Sequence, residues 1–136
     1  MGSSDIAVVD LESFAVAWMR GVGRSPRHLC LDPAGKYLYA TLNGEGMVAK
    51  IAVAKGEVLR KEATGQAPRS MTLSRDGQFL YVVNYHSDTV SKVSTSDLRV
   101  LATASTDKRP IGITYDPETR QIWVACYSGS ILIFQD

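Results

Sequence analysis

Gly65-Gln-Ala-Pro-Arg-Ser-Met-Thr-Leu-Ser-Arg-Asp-Gly-Gln-Phe-Leu-Tyr-Val-Val-Asn-Tyr-His-Ser-Asp-Thr-Val-Ser-Lys-Val93 is the stretch on which the reading of the fold turns. Pro68 opens it, and Met71 and Leu73 follow at alternate positions, as on a half-buried strand. Asp76-Gly77 is a tight-turn dipeptide, and the apolar run Phe79 to Val83 returns from it. A polar loop, Asn84 to Asp88, leads to a third run through Val90 and Val93. Strand, turn, strand, loop, strand predicts an antiparallel β-meander.

The unit recurs along the chain. Pro26, Pro68 and Pro110 stand 42 residues apart. Leu29, Met71 and Ile113 keep the same spacing, as do Leu38, Leu80 and Ile122, and then Tyr39, Tyr81 and Trp123. Ile6, Val48, Val90 and Leu132 read as a fourfold series. Four short strands in a period of about 40–45 residues predict propeller blades. Helical repeats are excluded, because the apolar runs are short, rich in β-branched and aromatic residues, and broken by Gly, Pro and Asp.

At Gly65-x-x-Pro68, Asp76-Gly77, Leu80-Tyr81-Val82-Val83-Asn84 and Asp88-Thr89-Val90-Ser91 the chain resembles the YVTN-type β-propeller repeat. Val83 stands where that family has Thr. The first repeat has Tyr39-Ala40-Thr41-Leu42-Asn43, with Asn one residue late, and the third has Trp123-Val124-Ala125-Cys126 with no Asn. The absence of Trp-Asp and Gly-His pairs at blade spacing argues against the WD40 version. The resemblance implies an all-β fold of four-stranded blades, a ligand on the face around the central channel, and a family whose members are often exported.

The 136 residues are enough for one domain, and 45% of them are apolar, so a core can form. A formal net charge of +1 with interspersed signs supplies no global argument for nucleic acid, a membrane surface or an acidic substrate. No apolar run approaches a membrane span and no signal peptide is visible, which leaves the compartment open. Met1 to Ser4 reads as a leader-like or tag-like segment. Residues 5–136 read as the repeat region, with blade boundaries near 25, 67 and 109. Cys30 and Cys126 fall at non-equivalent blade positions, which disfavours a disulfide.

In chain order, Ile6–Asp10 is expected as the third strand of a blade and Phe14–Met19 as its outer strand. A full blade follows from Pro26 and another from Pro68, whose outer strand is expected near Leu98–Ala102. The last unit starts at Pro110 and ends in Leu132–Asp136, again a third strand. About three blades leave two apolar blade faces open, and each blade of such an array buries its faces only against neighbours. Closure between chains is the economical answer, and two copies make a six-bladed ring. Ile6–Asp10 and Leu132–Asp136 are the expected partner edges of a homodimer with one composite blade per junction. The alternative is a longer propeller from which this chain is a piece.

The loops expected around the channel carry Arg24, Arg27, Arg69, Lys108 and Arg109 at the blade entries. Asn84, Tyr85 and His86 lie in the second loop. Together they are the candidate ligand-binding residues: a ring of Arg and Lys near Tyr and Asn suits a carboxylate, a phosphate or a nucleic-acid backbone. Solvated rim charges are the plainer reading. His28 and Cys30 share a strand face, but Ser70, Thr72, Gly112 and Thr114 supply no matching ligands, and a closed zinc site needs four. No metal, cofactor or catalytic residue is expected. His86 with Asp88 lacks an associated nucleophile, and Asp32, Asp76 and Asp116 are turn residues. Tyr39, Tyr81 and Trp123 read as wedges between blades rather than a base-stacking column.

The expected function is a non-catalytic scaffold or binding module that self-assembles into a closed propeller. Two alternatives stay open. The family resemblance implies an enzyme fragment akin to lactonases of phosphogluconate lactone or to quinone- or copper-dependent dehydrogenases. The basic entry loops suggest a polyanion or nucleic-acid binder.

Overall fold

The computed structural model describes residues 3–136. Met1 and Gly2, half of the leader-like segment, lie outside the described residues. The carbonyls of Ser3 and Ser4 accept hydrogen bonds from the backbone N–H groups of Ser25 and Val22.

Thirteen strands and no helix make up the described chain. β1 (Ile6–Val9) and β2 (Val16–Met19) form a two-stranded piece. β3 (Pro26–Leu31), β4 (Tyr37–Leu42), β5 (Met47–Ala52) and β6 (Glu57–Ala63) form a four-stranded sheet in sequence order. β7 (Pro68–Leu73), β8 (Phe79–Asn84), β9 (Thr89–Ser94) and β10 (Val100–Ser105) form a second one. β11 (Pro110–Asp116), β12 (Gln121–Cys126) and β13 (Ile131–Gln135) form a three-stranded sheet. Every pairing is antiparallel. These are blades of a β-propeller, called here blades A to D. The inner strands β3, β7 and β11 stand side by side.

The core is a series of apolar layers between blades. Ile6 of blade A packs with Leu38, Ala40 and Ile51 of blade B. Tyr39 and Val48 of blade B pack with Met71, Leu80 and Val93 of blade C. Tyr81, Val83 and Val90 of blade C pack with Ile122 and Val124 of blade D. Tyr39 and Tyr81 are therefore wedges between successive blades, and Trp123, at the same repeat position, stays 39% exposed on the outer face of blade D.

Two strand boundaries differ from expectation. β2 begins at Val16 and β10 at Val100, because Phe14 and Leu98 turn the chain at φ 57° and 58° instead of extending it. Gly56 holds the same place in blade B at φ 64°. The fourfold series also breaks at its last member. Four residues separate the paired ends Leu42 and Met47, and four separate Asn84 and Thr89, whereas Cys126 closes a shorter turn by donating to the Ser130 carbonyl at 2.9 Å. Trp123 consequently pairs with Ile133, while Tyr39 and Tyr81 pair with Lys50 and Lys92. One deleted loop residue turns every β13 side chain to the other face. Ile131, not Leu132, takes the place of Val48 and Val90, and Leu132 packs back on blade C.

Candidate functional site

The entry loops and second loops meet at one end of the blades. In blade C the entry residues Gln66 and Ala67 accept backbone hydrogen bonds from His86 and Tyr85, at 3.1 and 3.0 Å. The Ser87 hydroxyl accepts from the Gln66 N–H at 2.7 Å. The Tyr85 ring lies near two guanidinium groups. Arg69, on the inner strand of its own blade, lies 5.0 Å from the ring centroid. Arg109, entering blade D, lies 6.0 Å from it. His86 sits edge-on to the same ring, 4.9 Å between centroids. Neither guanidinium forms an ion pair among the described residues. The Asp88 carboxylate accepts instead from the backbone N–H of Arg109, at 2.7 Å. Two arginines near one aromatic ring, neither of them ion-paired among the described residues, can each donate to a small anion.

Of the other expected residues, Arg24 belongs to a different loop contact. Arg24, Arg27 and Lys108 are exposed. Arg24 anchors a different loop, its N–H donating to Glu45 Oε1 at 2.6 Å, with Lys61 3.1 Å from the same carboxylate. The Arg24 N–H holds the Glu45 carboxyl below its usual pKa; burial opposes this and Lys61 adds to it. A shallow cleft of about 540 Å³ runs between the loops of blades B and C, past Asn43, Glu45, Gln66 and His86.

Asn84 does not face a ligand. It is fully buried, and its amide is saturated. The two N–H groups of Nδ2 are shared among Ser91 Oγ at 3.0 Å, Thr89 Oγ1 at 3.1 Å and the Thr64 carbonyl at 3.3 Å, while Oδ1 accepts from Thr64 Oγ1 at 2.9 Å. Gly65 explains the fit, since a Cβ there would stand 2.7 Å from Asn84 Cγ. Gly23 has the same relation to Leu42, the residue at the Asn84 position in blade B, at 2.5 Å from Cδ1. Gly and Asn of the repeat motif are thus one packing unit. Asn43, one residue late, bridges blades by donating to the Pro68 carbonyl at 3.1 Å.

His28 and Cys30 stay apart in role. Each inner strand has an irregular register near its start, and in blade B the Thr41 hydroxyl accepts from the His28 N–H at 3.0 Å there. The same hydroxyl donates to the Arg69 carbonyl of the next blade at 3.1 Å. The Cys30 thiol lies 3.6 Å from the Met71 carbonyl, and burial raises its pKa. Burial lowers the pKa of His28. Both cysteines are free thiols.

A second polar cluster, missed in the sequence, lies between blades C and D near Asp136. Lys92 Nζ donates to the Asp136 carboxylate and lies 4.2 Å from the Phe79 ring centroid. Burial alone would raise the Asp136 pKa, but the hydrogen bond and charge of Lys92 act against it and the pKa is held low. The Tyr81 hydroxyl is buried with no partner at good hydrogen-bond geometry, and burial, then Asp136, pushes its pKa up. The 42-residue relation of Lys50 to Lys92 was the available signal: Lys50 Nζ reaches the Thr95 carbonyl of the next blade at 2.7 Å.

No curated protein matches the chain. Among solved structures, the hydrazine synthase of Kuenenia stuttgartiensis is similar, with a TM-score of 0.77 and 26% identity over 81% of this chain. The chain spans about a third of that protein's chain, 32%. A family model described as lactonase, seven-bladed β-propeller, matches residues 31–101, blade B's innermost strand end through the start of blade C's outer strand. That match covers more than half of the residues, and the chain belongs to this seven-bladed lactonase family of β-propellers.

Proposed function

We propose that the chain, a set of YVTN-type repeats, is a binding module that closes into a ring with a second copy and holds a small anion on its channel face. The single observation behind the ligand class is that Arg69 and Arg109 both stand near the Tyr85 ring, neither of them ion-paired among the described residues. The arginines come from successive blades, so the site exists only where blades pack. Calorimetric titration with inorganic phosphate and with a short carboxylate tests the reading. Arg69→Ala and Arg109→Ala should each weaken binding about tenfold or more, and Arg24→Ala should leave it unchanged. Equal, negligible heats for all four proteins would sink it. A steep fall in affinity for an oligonucleotide with salt would instead favour the polyanion reading.

The lactonase-family match supports a second reading and sits against the expectation of a non-catalytic protein. Hydrolysis of a sugar lactone by the purified chain, lost in Arg69→Ala, would make the same anion site a substrate site.

Closure is supported by the open faces. Ile131 is 66% and Ile133 51% exposed beside Trp123 on blade D, and Val16 and Trp18 are about half exposed on blade A, 52% and 50%. With Met1–Asp10 deleted, β13 keeps the third-strand position and assembly should persist; with Leu132–Asp136 also deleted, it should weaken. Light scattering across a dilution series reads both results. Equal assembly of the double deletion and the intact chain would refute the composite blade.

A further inference from the structure

The interface between blades B and C differs from the next one at its loop end. Gly44, Gly46 and Gly65 stand there, where the interface between C and D carries His86, Asp88 and Asp107, 42 residues on. The glycines leave open the cleft of about 540 Å³ between the loops of the two blades. Its floor is bare main chain by necessity. A Cβ on Gly46, at φ 70°, would stand 2.9 Å from the Gly65 carbonyl oxygen, and one on Gly65 would stand 2.7 Å from Asn84 Cγ. Blades B and C are both complete four-stranded sheets, so each wall of the cleft is a finished blade.

The cleft adjoins the anion site. His86 lines it and also sits edge-on to Tyr85, 4.9 Å between ring centroids. The Arg69 guanidinium is 5.0 Å from the same Tyr85 ring. The walls of the cleft carry groups suited to amides. Asn43 spends Nδ2 on the Pro68 carbonyl and keeps Oδ1 as an acceptor. The Ser87 hydroxyl accepts from the Gln66 N–H and keeps its own hydrogen to donate. The Gln66 side chain, exposed at the rim, offers both functions. Glu45 is already engaged by the Arg24 N–H and by Lys61, and no Tyr, Trp or Phe lines the cleft among the described residues. A sugar ring would lack both a free carboxylate and an aromatic platform here. A peptide main chain needs a flat floor and one donor and one acceptor per residue, which this cleft supplies.

We propose that the cleft between blades B and C holds the last residues of a peptide whose free terminal carboxylate lies at Arg69 and Arg109. The main chain lies on Gly44, Gly46 and Gly65. Ser87 donates to a peptide carbonyl, and Asn43 Oδ1 accepts from a peptide N–H. From Arg69 across Tyr85 to His86 is at most roughly 10 Å, the reach of about three extended residues. The assignment rests on the anion reading of Arg69 and Arg109 and names the class of molecule that carries the anion. Every residue it uses belongs to blade B, blade C or the entry of blade D.

The test is an NMR amide-shift titration of the whole chain with four probes: N-acetyl-trialanine, its carboxy-terminal amide, acetate and inorganic phosphate. The free-acid peptide should bind about tenfold or more tightly than acetate, and the amide should lose that gain. Ala63→Trp fills the cleft from an exposed position, and Gln66→Trp replaces it at the rim if Ala63→Trp does not fold. The filled cleft should bind the peptide no better than acetate and keep the phosphate affinity of the unaltered chain. Arg69→Ala should weaken peptide and phosphate together. A peptide no tighter than acetate, with Arg69-dependent phosphate binding intact, would overturn the peptide assignment and leave the anion site standing. An amide that binds as well as the free acid would overturn the terminal-carboxylate anchor. Failure of phosphate, acetate and peptide alike would overturn the anion reading and the peptide with it.

Discussion

Asn84 and Tyr85 are neighbours in sequence with opposite fates. Asn84 points into blade C, where one donated and one accepted hydrogen bond tie the second loop to Thr64 beside the blade entry and further contacts reach Thr89 and Ser91. Tyr85 lies near two arginine guanidinium groups, 5.0 and 6.0 Å from its ring centroid. Asn84→Ala strands buried acceptors and should cost about 2–4 kcal/mol in urea unfolding. Tyr85→Ala should change stability by less than about 1 kcal/mol while weakening phosphate binding. His28 supplies a pH signature. Its folded-state pKa lies below the unfolded value because burial disfavours the imidazolium. The unfolded chain therefore binds the proton first, and stability should fall as pH drops below the ordinary histidine value of about 6.5. His28→Gln should flatten that part of the melting-temperature profile, and an unchanged slope would remove His28 from the account. Asp136, held low mainly by Lys92 against the effect of burial, predicts a second loss of stability below the usual aspartate pKa of about 3.9.

At the level of the strand and turn, the 42-residue period is a period of backbone conformation as well as of side chains. Ser25, Ala67 and Arg109, each just before a proline, share φ values of 55°, 52° and 58°. The repeat conserves a left-handed residue at each blade entry even where no glycine stands there. Turns of neighbouring blades also touch: a Cβ on Gly77 would come within 2.7 Å of Pro33 Cδ, whereas one on Gly35 meets nothing. Both glycines have positive φ, 72° and 69°. Gly35→Ala should therefore cost about 1 kcal/mol from backbone strain alone, and Gly77→Ala more, by chemical denaturation. Equal costs would mean that the turn of blade C shifts freely against blade B.

Across the whole molecule, stability is a sum of blade interfaces rather than of one central core. The layers between A and B, B and C, and C and D are each closed by residues of both neighbours. The two end faces carry both tryptophans, Trp18 and Trp123, exposed by 50% and 39%. Ring closure should bury them, so tryptophan emission should move to the red as the protein is diluted through its dissociation constant. An emission maximum independent of concentration, in a sample that light scattering shows to dissociate, would place the contact elsewhere. No helix among the described residues is long and apolar enough to cross a membrane.

The period, the strand order, the turn sites and the wedge role of Tyr39 and Tyr81 are all legible in the chain itself. They follow from signals local in sequence: proline at the entry, Asp-Gly at the turn, alternation on the strand, repeated every 42 residues. The strand-four starts are less legible, because Phe14 and Leu98 look like strand residues, yet both take a positive φ in the turn, Leu98 buried and Phe14 exposed. The shortened loop before β13 is written in the sequence, yet its effect on side-chain facing appears only when β13 pairs with β12. The same holds for the site. Arg69, Tyr85 and Arg109 were named from loop position, but their convergence, the burial of Asn84 and the separate place of Arg24 depend on how blades pack. Residue type limits what a loop can bind; contacts between blades, made by residues some 40 positions apart, select which groups stay at the surface and which fill the core.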